Sequence, residues 1–177
     1  MKKLTNFLLL LAGITFFSCE GPMGPPGLDG TSLLGTVFEM QGDFKASNNY
    51  ELYFDFPQNF EIYETDVVLV YILWEVASVN GKQTDVWRLM PQTVVLDDGV
   101  LQYNFDYTVD DVKIFLEGTT DFNYLLPAET DDQVFRIAVL PADFMAQKSV
   151  DIKDFNSLKN LPGLKLDIKM DEGRFVN

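Results

Sequence analysis

Three adjacent acid pairs, Asp97-Asp98, Asp110-Asp111 and Asp131-Asp132, stand out as residues whose types and spacing suggest chemistry. With them go one cysteine, Cys19, and two arginines in otherwise apolar runs, Arg88 and Arg136. Paired carboxylates act as glycosidase acid and base when their carboxyl groups stand about 5 to 9.5 Å apart. Oxygen clusters in loops also suit Ca²⁺. The more ordinary role of adjacent Asp residues is to stabilise turns while staying hydrated. No DxDxDG-type loop is present, and MDEG and DDG are too short to count as one. The two arginines can receive the carboxylate of a ligand, but in so acidic a chain they are expected to pair with an acid or face solvent. The chain has no histidine. That removes the commonest general base and transition-metal ligand, and with them zinc, copper and His-dependent triads. Ser and Thr therefore lack a His or an evident Lys to activate them. The expectation is a non-enzymatic protein with no catalytic, cofactor-binding or metal residues.

Aromatic residues are the other candidates: 15 Phe, 7 Tyr and 2 Trp. Exposed Trp or Tyr platforms stack on sugar rings, and Trp87 lies beside Arg88 on a mixed strand. In a sandwich most such rings, Trp74, Tyr103 and Phe105 included, are expected in the core.

The segment MKKLTNFLLLLAGITFFSC has the charge, apolar and small-residue order of a secretory signal over residues 1–18. Its apolar run, Phe7 to Phe17, falls short of the roughly 20 residues that span a bilayer as a helix. The bland alternative is an uncleaved buried helix, which two lysines ahead of Leu8 to Leu11 make a poor start for. The only cysteine falls at the cleavage point, and a lone Cys in an exported chain cannot pair internally. TFFSCEG resembles a bacterial lipoprotein lipobox, with Ser18 as the small residue before the cysteine and Phe16 and Phe17 where Leu and a small residue are usual. That resemblance implies lipidation of Cys19, with the signal cut before it, and several acyl chains anchor stably where one is marginal. The alternative is a free thiol on a secreted protein.

Gly21, Gly24, Gly27 and Gly30 then give a collagen-like Gly-x-y stub over residues 19–32, broken at Leu33. Triple helices need Gly at every third position, but so few triplets recover little of the entropy of aligning three strands. A polyproline-like tether is the simpler reading. At about 3.1 Å per residue, the twelve residues of its four triplets reach roughly 37 Å.

Formal charge is −14, from 13 Lys+Arg and 27 Asp+Glu. The signal carries two of those cations and none of the acids, so the mature chain sits near −16. Such a field repels nucleic acid and anionic headgroups, so nucleic acid is not an expected partner. The acids are scattered, as on a solvated surface.

Residues 33–177 form one expected domain, long enough to bury about two-thirds of the unfolded surface. Period-2 alternation dominates it. YELYFDF sets Tyr50, Leu52, Phe54 and Phe56 on one face. LQYNFDY does the same with Leu101, Tyr103, Phe105 and Tyr107, and LKLDIKM with Leu164, Leu166, Ile168 and Met170. VVLVYILWEV is apolar on both faces and rich in β-formers, which predicts a central strand. Asn80-Gly81 predicts a type I′ hairpin into TDVWRLM, and Asp98-Gly99 a second hairpin joining TVVL to VLQYNFDY. GTVFEM, DVKIFLEG and QVFRIAVL supply further strands. One helix is expected in DIKDFNSLKNLPG, where Ile152, Phe155, Leu158 and Leu161 recur at i+3 before Pro162-Gly163. Roughly eight strands and one short helix near the C-terminus point to an all-β antiparallel β-sandwich, Ig-like or jelly-roll-like, with a closed β-barrel as the alternative.

The order of lipobox, CEGPMGPPGLDG, DVWRLMPQ, LQYNFDYT, DVKIFLEG and DQVFRIAVLPADF resembles a group of small Bacteroidetes (flavobacterial) lipoproteins with a collagen-like stub, over nearly the whole chain. Some members carry a dihydrolipoamide dehydrogenase label, which this sequence does not fit: it has no GxGxxG after a strand, no CxxC and no His. The resemblance implies a cell-envelope location, anchored at Cys19 in the outer membrane and facing the periplasm or cell surface. It carries no catalytic residue across. The expected role is structural or interactive, toward another envelope protein or a glycan; the alternative is a carbohydrate- or small-ligand-binding lipoprotein.

Overall fold

The computed structural model describes residues 35–142, 151–161 and 164–172, with the backbone alone for 166–172. All of them lie in the unit Ser32–Asn177. The signal, Cys19, the Gly-x-y stub and the apolar face read at Leu166, Ile168 and Met170 fall outside the described side chains.

Among the described residues nine strands make two sheets. In chain order they are β1 (Gly35–Gly42), β2 (Glu51–Asp55), β3 (Val67–Val79), β4 (Lys82–Leu89), β5 (Gln92–Leu96), β6 (Gly99–Tyr107), β7 (Asp111–Gly118), β8 (Gln133–Leu140) and β9 (Leu164–Glu172). One sheet runs β4-β3-β8-β1-β9 and the other β2-β7-β6-β5. Two stacked sheets form a β-sandwich and not a closed barrel. All but one of the pairings are antiparallel; β9 joins β1 in parallel, a departure from the all-antiparallel expectation.

The alternating residues meet between the sheets. Phe38 and Met40 of β1, Val68, Val70 and Ile72 of β3, and Phe135 and Ile137 of β8 pack against Leu52, Phe54, Leu101, Tyr103, Val112 and Ile114 of the facing sheet. Of the residues read as one face of LQYNFDY, Leu101 and Tyr103 are buried, Phe105 is partly buried against the core, and Tyr107 is exposed.

The five-stranded sheet is covered on its other face too, which explains why β3 reads as apolar on both sides. Val37, Leu69, Tyr71, Ala138 and Leu140 form a second buried layer with Phe155 and Leu158. Those two come from the helix Phe155–Lys159, whose start is capped by Asp154 accepting from the Asn156 N–H at 2.9 Å. The i+3 spacing of Ile152, Phe155, Leu158 and Leu161 thus marks the face that seals the sheet. Tyr71 ties it down, its hydroxyl donating to the Ile152 carbonyl at 2.5 Å.

β3 outruns β8. Its pairing with β8 ends at Ile72, while its pairing with β4 continues to Val79↔Lys82, leaving a two-stranded ribbon beyond the sheet. The ribbon closes at Asn80 (φ 53°) and Gly81 (φ 78°), the two left-handed residues of a type I′ turn.

The second hairpin differs from its expectation. Leu96 pairs with Gly99, so Asp97-Asp98 is the loop and Gly99 already belongs to β6. Neither aspartate has a positive φ. Gly99 is needed for space: a Cβ there would come within 2.7 Å of the Thr120 nitrogen.

Candidate functional site

The three acid pairs sit in three separate turns, and each is drawn into local bonding. Asp98 accepts from the Thr120 hydroxyl at 2.6 Å and the Asp121 N–H at 3.1 Å, stitching the β5–β6 turn to the chain after β7. Thr108 donates to Asp111 at 2.6 Å and accepts from the Asp110 and Asp111 N–H groups. Asp131 accepts from Thr130, and Asp132 accepts from Gln41 while its N–H donates to Asp43. Among the described residues no group of three or more His, Cys, Asp or Glu is placed to hold a metal ion. The pairs are not brought together, and turn stabilisation accounts for them.

The Thr120 hydroxyl, with the Asp121 N–H, holds the Asp98 carboxyl below its ordinary range. A general acid at neutral pH needs the opposite shift. A depressed native pKa means stability present above the unfolded value and lost as pH falls through the native one. Asp98→Asn is therefore expected to lower the thermal midpoint at pH 7, with the gap to wild type closing in acid. Thermal scans from pH 7 to 3 check this; a constant gap would contradict it.

Arg136 is the described residue most elaborately held. Its Nε donates to Glu39 Oε2 at 2.8 Å, and both side chains are largely buried. Glu39 and Arg136 are cross-strand partners on β1 and β8, on the face toward the helix Phe155–Lys159. The guanidinium lies over the Trp87 ring, 3.9 Å from its centroid, and 4.8 Å from that of Phe155. The arginine pairs with an acid as expected, but that acid, Glu39, is not among the sequence candidates. The signal that could find it is an acid between Phe38 and Met40 on a strand buried on both faces, which requires a partner. Arg88, by contrast, is exposed and lies over the ring of Trp74 at 3.9 Å.

Two grooves adjoin these stacks. The larger, about 330 Å³, runs between the β3–β4 ribbon and the helix Phe155–Lys159. Three cations line it, Lys82, Arg136 and Lys159, together with Trp87 and the amides of Gln83 and Asn156; Thr84 and Asp85 complete the wall. The smaller, about 240 Å³, includes Trp74, Tyr103, Glu129 and Gln133. Tyr103 is fixed there, its hydroxyl donating to the Glu129 carbonyl at 2.8 Å, and burial with the nearby Glu129 charge pushes the phenol up to about 12. It is a neutral donor at physiological pH. Of the rings weighed as platforms, Trp74 and Trp87 are half-buried at grooves, each with an arginine against it, and Tyr103 is buried.

Among the described residues no helix is long and apolar enough to cross a membrane. No protein-family model matches the chain, and no curated protein or solved structure matches it either.

Proposed function

We propose that this chain is an exported lipoprotein, anchored through Cys19 in the cell envelope, whose β-sandwich is a non-enzymatic interaction module. The observation that carries the reading is the chain's one cysteine, placed where a basic, then apolar, then small-residue leader ends. The sandwich supports the second half of it. Its acid pairs are engaged in separate turns. The resemblance to flavobacterial lipoproteins agrees with an outer-membrane location. A ligand-binding role, the second reading, is favoured by the groove beside Arg136, where a half-buried indole meets amides and cations.

Mass spectrometry and detergent-phase partitioning of the protein made in a lipoprotein-processing bacterium test the anchoring. The wild type is expected to lack residues 1–18, carry acyl mass and enter the detergent phase; Cys19→Ala is expected to do none of these. A wild-type chain that is unprocessed and unacylated overturns the proposal.

A further inference from the structure

We propose that the groove between the β3–β4 ribbon and the helix Phe155–Lys159 binds an acidic sugar, its cations taking the carboxylate and its amides the hydroxyls. The inference deepens the ligand-binding reading and is independent of anchoring at Cys19.

Charge is the first support. In a chain of net charge −14, three of the eight cations whose side chains are described line this one groove. Elsewhere Lys45 and Lys113 pair with Asp43 and Asp106, Arg88 lies on Trp74, and Lys153 and Lys165 are exposed with no ion pair among the described residues. Lys82 and Lys159 have no ion pair among the described residues. Asp85 stands on the same wall and Glu39 already pairs with Arg136, so the groove keeps a small positive excess, carried by Lys82 and Lys159, on an otherwise acidic molecule, which favours an anion there over the rest of the surface.

Preorganisation is the second. Arg136 is fixed before any ligand arrives, by Glu39 on its Nε and by the Trp87 and Phe155 rings beside its plane. A guanidinium held this way has already lost its rotamer freedom on folding, and its planar fork suits the two oxygens of a carboxylate. The third support is the remaining chemistry of the wall. Gln83 and Asn156 carry amides that both donate and accept, as a ring of hydroxyls requires. Trp87 offers apolar indole surface to the C–H groups of a pyranose. At about 330 Å³ the space is at the small end of ligand sites, which fits one or two sugar rings. A neutral sugar would leave the cations unused, and a bare anion would leave the amides and the indole unused.

The test is titration of the full chain in mild detergent, by calorimetry and Trp fluorescence, with a glucuronate-containing disaccharide. A neutral glucose disaccharide, acetate, inorganic phosphate and a poly-glutamate peptide are the comparison probes. Saturable binding of the uronate sugar is expected, weakened by salt, with the neutral disaccharide weaker by about tenfold or more. Lys82→Gln with Lys159→Gln, both exposed and outside the core, is expected to weaken it by about tenfold. Lys113→Gln, outside the groove, is expected to leave it unchanged. Equal binding of neutral and acidic sugars, or a lysine double variant that binds like wild type, overturns this proposal while leaving a ligand-binding role standing. Acetate or phosphate binding as well as the uronate sugar overturns it in favour of a bare anion, and tightest binding by the peptide overturns it in favour of an acidic protein. Silence from every probe overturns both this proposal and the ligand-binding reading.

Discussion

Phe155→Ala is expected to destabilise the protein by about 3 kcal/mol or more and to uncover the outer face of the five-stranded sheet. Phe155 is only 2% exposed, and its ring packs edge-on against Tyr71 at 5.2 Å and beside Trp87 at 5.9 Å. It is also one of the two rings against Arg136. Removing it leaves a five-residue helix with Leu158 as its one other fully buried anchor, too little for so short a helix. Tyr71 reports the event. Its phenol is held well above the ordinary tyrosine range, first by burial and then by the charges of Asp151 and Asp154. A raised native pKa gives stability that is whole below the unfolded value, near 10, and lost as pH rises through the native one. In the variant Tyr71 is expected to ionise at lower pH, and the extra alkaline sensitivity of the wild type to shrink. Urea unfolding and absorbance titration of the phenols measure the two effects. An unchanged midpoint with unchanged phenol titration would show that the helix does not depend on this ring.

Gly118→Ala is expected to cost about 2 to 4 kcal/mol, although it adds a single methyl group. Gly118 ends β7 at φ +156°, and a Cβ there would sit 2.0 Å from the Val100 carbonyl oxygen. That oxygen is backbone, and it accepts from the Thr119 N–H at 2.9 Å, so neither clash nor hydrogen bond can be relieved by a side-chain rotation. Relief requires shifting the β6–β7 ladder. Gly81→Ala supplies the comparison: its φ is +78°, with nothing within 4 Å of an added methyl, so only backbone strain of about 1 kcal/mol is expected. Parallel denaturation curves decide it. Equal losses at the two glycines would show that the close approach at Val100 carries no penalty.

Local patterns are legible in the amino-acid order, and distant partnerships are not. Leu52 and Phe54, Leu101 and Tyr103, and the Asn80-Gly81 turn follow from period and turn chemistry acting over a few residues. The double-sided greasiness of Val67 to Ile72 announces cover on both faces, and the i+3 spacing around Phe155 supplies the cover; the same reading fails at Val76, which is exposed in the ribbon beyond the sheet. What escapes depends on which strands become neighbours. Nothing near Leu164 says that β9 runs parallel to β1, and nothing near Asp97 says that Thr119-Thr120 will press against Gly99. The groove is the clearest case. Arg136, Trp87 and Lys159 are readable as an arginine, an aromatic and a helix-end lysine, but their meeting is a product of sheet order.

Sheet order also has a consequence in time. β1 is the first of the described strands, yet it lies inside the five-stranded sheet, between β8 and β9. Its nearest partner in sequence is roughly a hundred residues away, since Gln41 faces Val134 and Thr36 faces Val139. Hairpins such as β3–β4 close on themselves within microseconds, whereas β1 waits for nearly the whole chain. For a protein threaded unfolded through a membrane and held by its leading end, as proposed here, the segment beside the anchor emerges first and finds its place last. On that proposal Phe38 and Met40 would spend the interval uncovered, beside a bilayer and among other unfinished chains. The domain's vulnerable moment would then be its delivery, and a holdase that shields β1 until β8 arrives would act where the need is greatest.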